Sequence, residues 1–194
     1  MMDQITKEFF QTGQSFEDFV KEGTPDEQDR LQLYDSRSAK DISPEEYKID
    51  LDFPVNIVVA ATTWCWDSQT NVPILVQIAK HNPKINLTIF NKDRFPFIID
   101  RINKGEKVPQ ALIYSMDFYY LDRWVERTTY AYKLYAEVYE ELGWDTEKES
   151  EFSMEYKKRY LKQHKEITRS LIQEIKSILK RTDAIQASTM RLRK

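Results

Sequence analysis

The sequence predicts an α/β fold in which helices flank a central mixed β-sheet and further helices extend both ends of the chain. A strand buried on both faces is indicated by the continuous apolar, β-branched run VNIVVAAT at 55–62. A hairpin is indicated by two further apolar runs, at 110–116 and 118–125, that are joined by a tight turn around Asp117. Towards both termini, apolar residues instead recur every three to four positions, which is the period of a helix.

Residues 1–50 are predicted to form a helical extension that packs on the core. Two helix starts are marked by a hydroxyl residue followed by a proline, at Thr24-Pro25 and at Ser43-Pro44. Both features favour a helix N-terminus, because the hydroxyl caps unpaired N–H groups and proline suits the first helical position. These helices are amphipathic and acidic, and they carry no recognisable chemistry.

Residues 51–145 are predicted to form the core. After the strand at 55–62 come a helix, a strand at 84–93, a helix at 96–105 and the hairpin, which gives the order β-α-β-α-β-β. The first two strands should run parallel, because a crossover helix joins them, and the last two should be antiparallel. Such a chain forms a mixed sheet.

The end of the chain is predicted to be helical again. One helix ends at Gly143, a single long helix covers 146–181, and a disordered tail follows at 182–194. The long helix carries an apolar stripe, made of Tyr160, Ile167, Leu171, Ile175 and Ile178. Such stripes usually face a core, so we expect this one to pack against the sheet or the N-terminal helices. A dimeric coiled coil is the alternative, but it requires a longer heptad run.

Composition argues against several classes of function. The 194 residues carry a net charge of -3 and include 4 glycines, and neither of the common glycine-rich phosphate loops is present. Nucleic acid is not an expected partner, because neutralising phosphates requires concentrated positive charge. The first residues lack the basic start and apolar run of a signal peptide, and no apolar run is long enough to cross a membrane. We therefore expect a cytoplasmic protein without nucleic-acid or membrane partners.

The chain has a single cysteine, Cys65, which lies in the segment TTWCWDS at 62–68. One cysteine cannot form an internal disulfide, and with two histidines it cannot supply the usual ligand set of a zinc site. No metal and no cofactor are therefore expected. Cys65 is either a reactive thiol or an inert small residue at a strand end, and the sequence leaves both open.

The centre of the chain resembles the thioredoxin fold. Trp64 and Cys65 stand at the end of the buried strand, where a helix begins. Pro73 follows Cys65 by eight residues and Pro109 follows it by forty-four. These two positions match the helix-kinking proline and the cis-proline of thioredoxin-like proteins. The resemblance covers roughly residues 15–135 and implies a thioredoxin-like fold.

More narrowly, the chain resembles small bacterial thioredoxin-like proteins that have a Trp-Cys-x-Asp motif. Those proteins have a helical N-terminal extension and a Val-Pro pair in the active-site helix, as at Val72-Pro73. They also have a Trp-x-x-Arg motif after the hairpin, which here runs from Trp124 to Arg127.

Three positions depart from the pattern of redox thioredoxins. Ser68 stands where the second cysteine would be, so the chain has no resolving cysteine. Val59 stands where many thioredoxins have a buried acid, and the bulky Trp66 stands where thioredoxins and iron–sulfur monothiol glutaredoxins have glycine. An iron–sulfur carrier role is therefore disfavoured.

The resemblance implies that Cys65 and Ser68 are catalytic. The start of a helix favours the Cys65 thiolate, because unpaired N–H groups and the helix dipole stabilise an anion, and the Ser68 hydroxyl is positioned to donate to the sulfur. Asp67 would oppose the thiolate if it is ionised, or would cap the helix. A cis bond before Pro109 would turn the Val108 backbone towards a substrate. The expected substrate-binding residues are Trp64, Trp66, Asp67, Val108 and Pro109.

Two functions from different classes follow. The first is a monothiol thiol–disulfide oxidoreductase that exchanges thiols on protein or low-molecular-weight mixed disulfides through Cys65. The second is a non-enzymatic thioredoxin-fold protein that binds a partner through the tryptophan-rich surface and the added helices. A redox sensor that forms an intermolecular disulfide through Cys65 is a third and weaker hypothesis. The sequence does not fix the oligomeric state.

Overall fold

A computed structural model describes residues 5–96, 107–143 and 148–192. Four strands lie at its centre: β1 (Val55–Ala61), β2 (Ile85–Asn91), β3 (Gln110–Ser115) and β4 (Tyr120–Val125). They form one sheet with the order β2-β1-β3-β4.

The pairing of the strands makes this a mixed sheet. β1 is parallel to β2 and antiparallel to β3, and β3 is antiparallel to β4. Val58 in β1, for example, lies opposite Thr88 of β2 and Leu112 of β3. Every residue of β1 is buried, as expected for a central strand covered on both faces. The predicted sheet is confirmed, whereas the helix predicted at 96–105 lies, apart from its first residue, outside the described residues.

Four helices precede the sheet: α1 (Lys7–Phe10), α2 (Phe16–Lys21), α3 (Pro25–Asp41) and α4 (Pro44–Tyr47). Capping boxes join Thr24 to Glu27 and Ser43 to Glu46, which satisfies N–H groups that a helix start leaves unpaired. Between α1 and α2 the chain forms an isolated bridge with the outer edge of β2. This bridge covers part of a strand edge that would otherwise be open to pairing with another chain.

The described residues form four more helices in chain order: α5 (Trp66–Lys80) between β1 and β2, and then α6 (Thr129–Leu142), α7 (Glu149–Lys162) and α8 (His164–Leu192). The C-cap of α6 is Gly143, where the sequence predicts the end of this helix, and this residue has a φ of 70°, which glycine adopts without steric cost.

The single long helix predicted at 146–181 is wrong. The chain forms two helices that are separated at Gln163, whose side chain accepts a hydrogen bond from Tyr130 at 2.6 Å. The apolar side chains of α7 pack on α6, whereas most of those of α8 pack on the sheet and α5, so the turn at Gln163 lets the two stripes face different surfaces.

The prediction of a disordered tail at 182–194 is also wrong for residues 182–192, because α8 continues to Leu192. Asp183 explains part of this extension. It is buried, and its carboxylate accepts hydrogen bonds from the backbone N–H groups of Asp52 and Phe53 at 2.9 and 3.1 Å. These bonds tie the last part of α8 to the loop that precedes β1.

The two faces of the sheet are covered by different parts of the chain. Side chains alternate along β1, so Ile57 and Val59 face a cluster that includes α5 and α8, while Val58 and Ala60 face the N-terminal segment. A third cluster joins α6, α7 and the start of α8. All five residues of the predicted apolar stripe are buried. Leu171, Ile175 and Ile178 pack in the cluster that contains the sheet, as expected, whereas Tyr160 and Ile167 pack in the third cluster.

Candidate functional site

Cys65 occupies the N-cap position of α5, directly after the turn that follows β1. It is partly buried, and its sulfur packs against the cluster on the N-terminal face of the sheet. The thiol donates a hydrogen bond to the backbone carbonyl of Val108, with an Sγ–O distance of 3.6 Å. The lone thiol therefore lies at a helix start and faces the loop that leads into β3.

The Val108–Pro109 peptide bond is cis. This segment lies beside Cys65 because β3 pairs with β1 in the antiparallel direction, so the start of β3 lies next to the end of β1. Pro109 accepts a hydrogen bond from the backbone of Glu126 at 2.7 Å, which fixes the loop to the far end of the hairpin. The Val108 N–H donates to no partner among the described residues.

Ser68 does not donate to the sulfur, contrary to the sequence-based expectation. It is fully buried, and its hydroxyl oxygen accepts a hydrogen bond from the Thr62 N–H at 3.4 Å. Ser68 follows Cys65 by three residues, but its side chain is directed back at the turn after β1. The contact supports the turn that presents Cys65.

Asp67 is held by Arg127. Its carboxylate accepts hydrogen bonds from Arg127 Nε at 3.0 Å and Nη2 at 2.8 Å. Asp67 is only 6% exposed, so burial raises the pKa of its carboxyl group, while the bonds from Arg127 offset part of that rise. The ion pair joins the start of α5 to the segment that follows β4.

The two ends of the Trp-x-x-Arg motif bind different acids. Trp124 donates its indole N–H to Glu174 of α8 at 2.9 Å. The Arg127 guanidinium, besides pairing with Asp67, lies 5.1 Å from the ring centre of Tyr135 and 5.7 Å from that of Tyr156. These rings belong to α6 and α7, so the added helices help to hold Arg127 in place.

The two tryptophans beside Cys65 differ in exposure. Trp64 is 60% exposed, and its indole N–H donates to Asp93 at 2.8 Å. Trp66 packs edge-on against Tyr156 and Tyr160, at ring-centre distances of 5.7 and 4.6 Å. Trp64 is thus available to a partner, whereas much of Trp66 serves the contact between α5 and α7.

Three further residues surround the site, Lys107, Glu126 and Tyr132, and none of them was expected from the sequence. Glu126 has a φ of 62° and accepts hydrogen bonds from Lys107 Nζ at 2.8 Å and from the Tyr132 hydroxyl at 2.5 Å. Burial raises the pKa of Glu126, but the bonds from Lys107 and Tyr132 outweigh it and lower that pKa overall. No local pattern marks these residues, because they are brought together from the loop before β3, the end of β4 and α6.

The described ranges contain neither a cluster of metal-ligating side chains nor a helix that could span a membrane. Within residues 5–96, 107–143 and 148–192, no group of three or more His, Cys, Asp or Glu side chains could hold a metal ion. Over the same ranges, no helix combines the length and the apolarity that crossing a bilayer requires.

Two solved structures share this fold. The crystal structure of PA1234, a protein of unknown function from Pseudomonas aeruginosa, aligns with a TM-score of 0.66 and 19% identity over 90% of this chain and 97% of that one. An HIV epitope-scaffold aligns with a TM-score of 0.64 and 21% identity over 89% and 96% of the two chains. α7 and α8 together make up more than a fifth of the chain, whereas the alignment to PA1234 leaves only a tenth of the chain uncovered. The shared fold therefore includes at least part of these two helices.

The family of the chain follows from a sequence comparison. No curated protein matches the sequence. A family model described as thioredoxin matches residues 13–141, which span the N-terminal helices from α2 onward, the whole sheet and most of α6. The site geometry and this match agree on one assignment: the chain belongs to the thioredoxin-like superfamily.

Proposed function

We propose that this protein is a monothiol thiol–disulfide oxidoreductase that acts on mixed disulfides through Cys65. The observation that carries the proposal is the position of the lone thiol, at the N-cap of α5 and beside the loop that leads into β3. A helix start presents unpaired N–H groups and the positive end of the helix dipole, and only the thiolate of a cysteine attacks a disulfide.

The reaction consists of two exchanges. In the first, the Cys65 thiolate attacks one sulfur of a mixed disulfide, forms a new disulfide with it, and releases the other thiol as a thiolate. In the second, an external thiolate attacks the disulfide on Cys65 and restores the free thiolate. The electrons come from the external thiol, which leaves as one half of a new disulfide. With a single cysteine, the chain itself cannot resolve the intermediate by closing an internal disulfide.

The substrate would bind as an extended segment along Val108. The N–H of this residue has no partner in the described part of the chain, and its carbonyl faces the sulfur. A peptide with a disulfide-bonded cysteine can pair with both groups in the manner of an added strand. The exposed ring of Trp64 offers it an apolar surface next to the thiol. A cytoplasmic location belongs to this proposal, because a monothiol exchange needs a supply of reducing thiols.

A non-enzymatic binding protein is the alternative, and one observation favours it. Ser68 is buried and bonded to Thr62, so it does not assist the sulfur, and the thiol proton has an acceptor in Val108. In this second function the same exposed Trp64 would contact a protein partner, and Cys65 would serve only as a small residue in the turn.

The two functions are separated by the reactivity of Cys65 in the folded protein. The protein is incubated with a short cysteine peptide that carries 2-mercaptoethanol as a mixed disulfide, and the products are followed by mass spectrometry. The oxidoreductase hypothesis predicts a disulfide adduct on Cys65 and its removal by added 2-mercaptoethanol, with no adduct in Cys65→Ser. A thiol that reacts with the peptide and with iodoacetamide only after unfolding would support the binding protein instead.

A further inference from the structure

We propose that a cleft on the other side of the α5 start binds a small aromatic monocarboxylate. The cleft has a volume of about 250 Å³ and lies between the start of α5, the segment after β4, and the helices α6 and α7. Its lining includes Trp66, Asp67, Arg127, Tyr135, Phe152, Tyr156 and Lys157. Cys65 packs against a different cluster from Trp66, so a ligand here would not occupy the thiol site.

The walls of the cleft favour a flat apolar group. Four aromatic rings, from Trp66, Tyr135, Phe152 and Tyr156, line it. Aromatic rings attract another ring in offset or edge-on geometry beyond the effect of buried area alone. A dry cavity of roughly 150 Å³ is enough to bind benzene. The larger volume here leaves room for a ring with a short polar arm.

The unpaired donors of the cleft favour one negative charge on that arm. Arg127 uses Nε and Nη2 for Asp67, and its Nη1 donates to no partner in the described part of the chain. Lys157 lies 5.9 Å from the ring centre of Trp66 and, within the described ranges, forms no salt bridge. The hydroxyl of Tyr156 is buried and likewise unpartnered among described residues. A carboxylate supplies the acceptors that these donors lack.

The acidic groups around the cleft argue against a more highly charged ligand. Asp67 already balances Arg127, and Glu149 also lines the cleft. Glu126 lies 3.7 Å from the Arg127 guanidinium. Lys157 is the lining cation that forms no salt bridge among the described residues, so one carboxylate matches the available charge. A phosphate dianion would meet repulsion from three acids.

Phenylacetate is a probe of the right class, and phenylacetamide is its neutral counterpart. In ¹⁵N-labelled full-length protein, we expect phenylacetate to shift the Trp66 indole N–H signal in a saturable way, with a millimolar Kd as is usual for ligands of this size. Phenylacetamide should bind about threefold more weakly, because it lacks the charge that Lys157 meets. The Trp66 signal is assigned from its absence in the spectrum of Trp66→Phe. Cys65→Ser should bind phenylacetate with the same Kd as the wild type.

Two neighbouring lysines provide matched variants. Lys157→Gln should weaken phenylacetate binding about threefold, as for the loss of an exposed ion pair. Lys158→Gln is the control, because Lys158 pairs with Glu155 and does not line the cleft, and it should leave the Kd unchanged. The proposal is overturned if the amide binds as tightly as the acid, if both variants bind equally, or if the Trp66 signal does not shift.

Discussion

Replacing Arg127 by methionine should destabilise the protein strongly, because it leaves a buried carboxylate without its partner. Asp67 is 6% exposed, and Arg127 donates to both of its oxygens at 3.0 and 2.8 Å. Removing one member of a buried ion pair typically lowers the free energy of unfolding by about 3–5 kcal/mol. The Arg127 side chain remains 19% exposed, so we expect the loss of free energy of unfolding in Arg127→Met to lie at the lower end of this range, at about 3 kcal/mol at neutral pH.

The size of this loss should depend on pH. Burial raises the pKa of Asp67, and Arg127 offsets part of the rise, so in Arg127→Met the folded-state pKa should rise further. A group with a raised folded-state pKa contributes stability below its unfolded pKa and loses it as the pH rises through the folded value. The unfolded value for Asp67 is near 3.8. The difference between wild type and variant should therefore shrink when the pH is lowered from about 7 to about 5.

Urea unfolding followed by far-UV circular dichroism at both pH values measures this difference. Arg169→Met is the control, since the ion pair of Arg169 with Glu46 is exposed on both sides and its loss should leave the free energy of unfolding nearly unchanged. The double variant Asp67→Leu/Arg127→Met removes both charges and should recover much of the loss. A loss below about 1 kcal/mol in Arg127→Met, with no dependence on pH, would refute the reasoning.

Three further predictions concern side chains near the site and in the third cluster. Trp64→Ala should change the free energy of unfolding by less than about 0.5 kcal/mol, because the Trp64 ring is exposed. Trp66→Ala should lower the free energy of unfolding by about 3 kcal/mol, because the Trp66 ring packs on two tyrosines. Equal losses for the two variants in urea unfolding would contradict this prediction. Tyr156→Phe should be neutral or stabilising by up to about 1 kcal/mol, because the buried hydroxyl has no partner among the described residues, and a lower Tm would show that it has one. Burial lowers the pKa of His164 in the folded protein. The contribution of His164 to stability is therefore present above its unfolded pKa near 6.5 and is lost as the pH falls below that value. In thermal melts, the Tm of His164→Leu should fall less in acid than the Tm of the wild type.

Some of the site could be predicted because local patterns carry it. The apolar run at 55–62 marks the central strand. Cys65 follows that strand within four residues, and Pro109, forty-four residues later, directly precedes β3. The caps at Thr24 and Ser43 likewise mark helix starts that the structure has. Each of these features depends on residues that are close in sequence or on one fixed spacing.

Other parts of the site could not be predicted because they depend on the direction of a side chain. Ser68 is one helical turn after Cys65, but the hydroxyl bonds to Thr62 behind it. Asp67 and Arg127 are sixty residues apart, and nothing in the sequence pairs them until β4 places the second beside the first. The division of the C-terminal helix at Gln163 has no proline or glycine to mark it.

The sequence by itself determined the mixed sheet, the helix that starts at Cys65 and the family to which the chain belongs, because periodicity, caps and proline spacing are properties of the linear chain. The tertiary structure alone decided that Trp64 is exposed while Trp66 packs under α7, and that Asp67 is neutralised by Arg127. The physical reason is that adjacent residues at a helix start point in different directions. Their environments are set by whichever distant segments pack there, and those contacts are long-range.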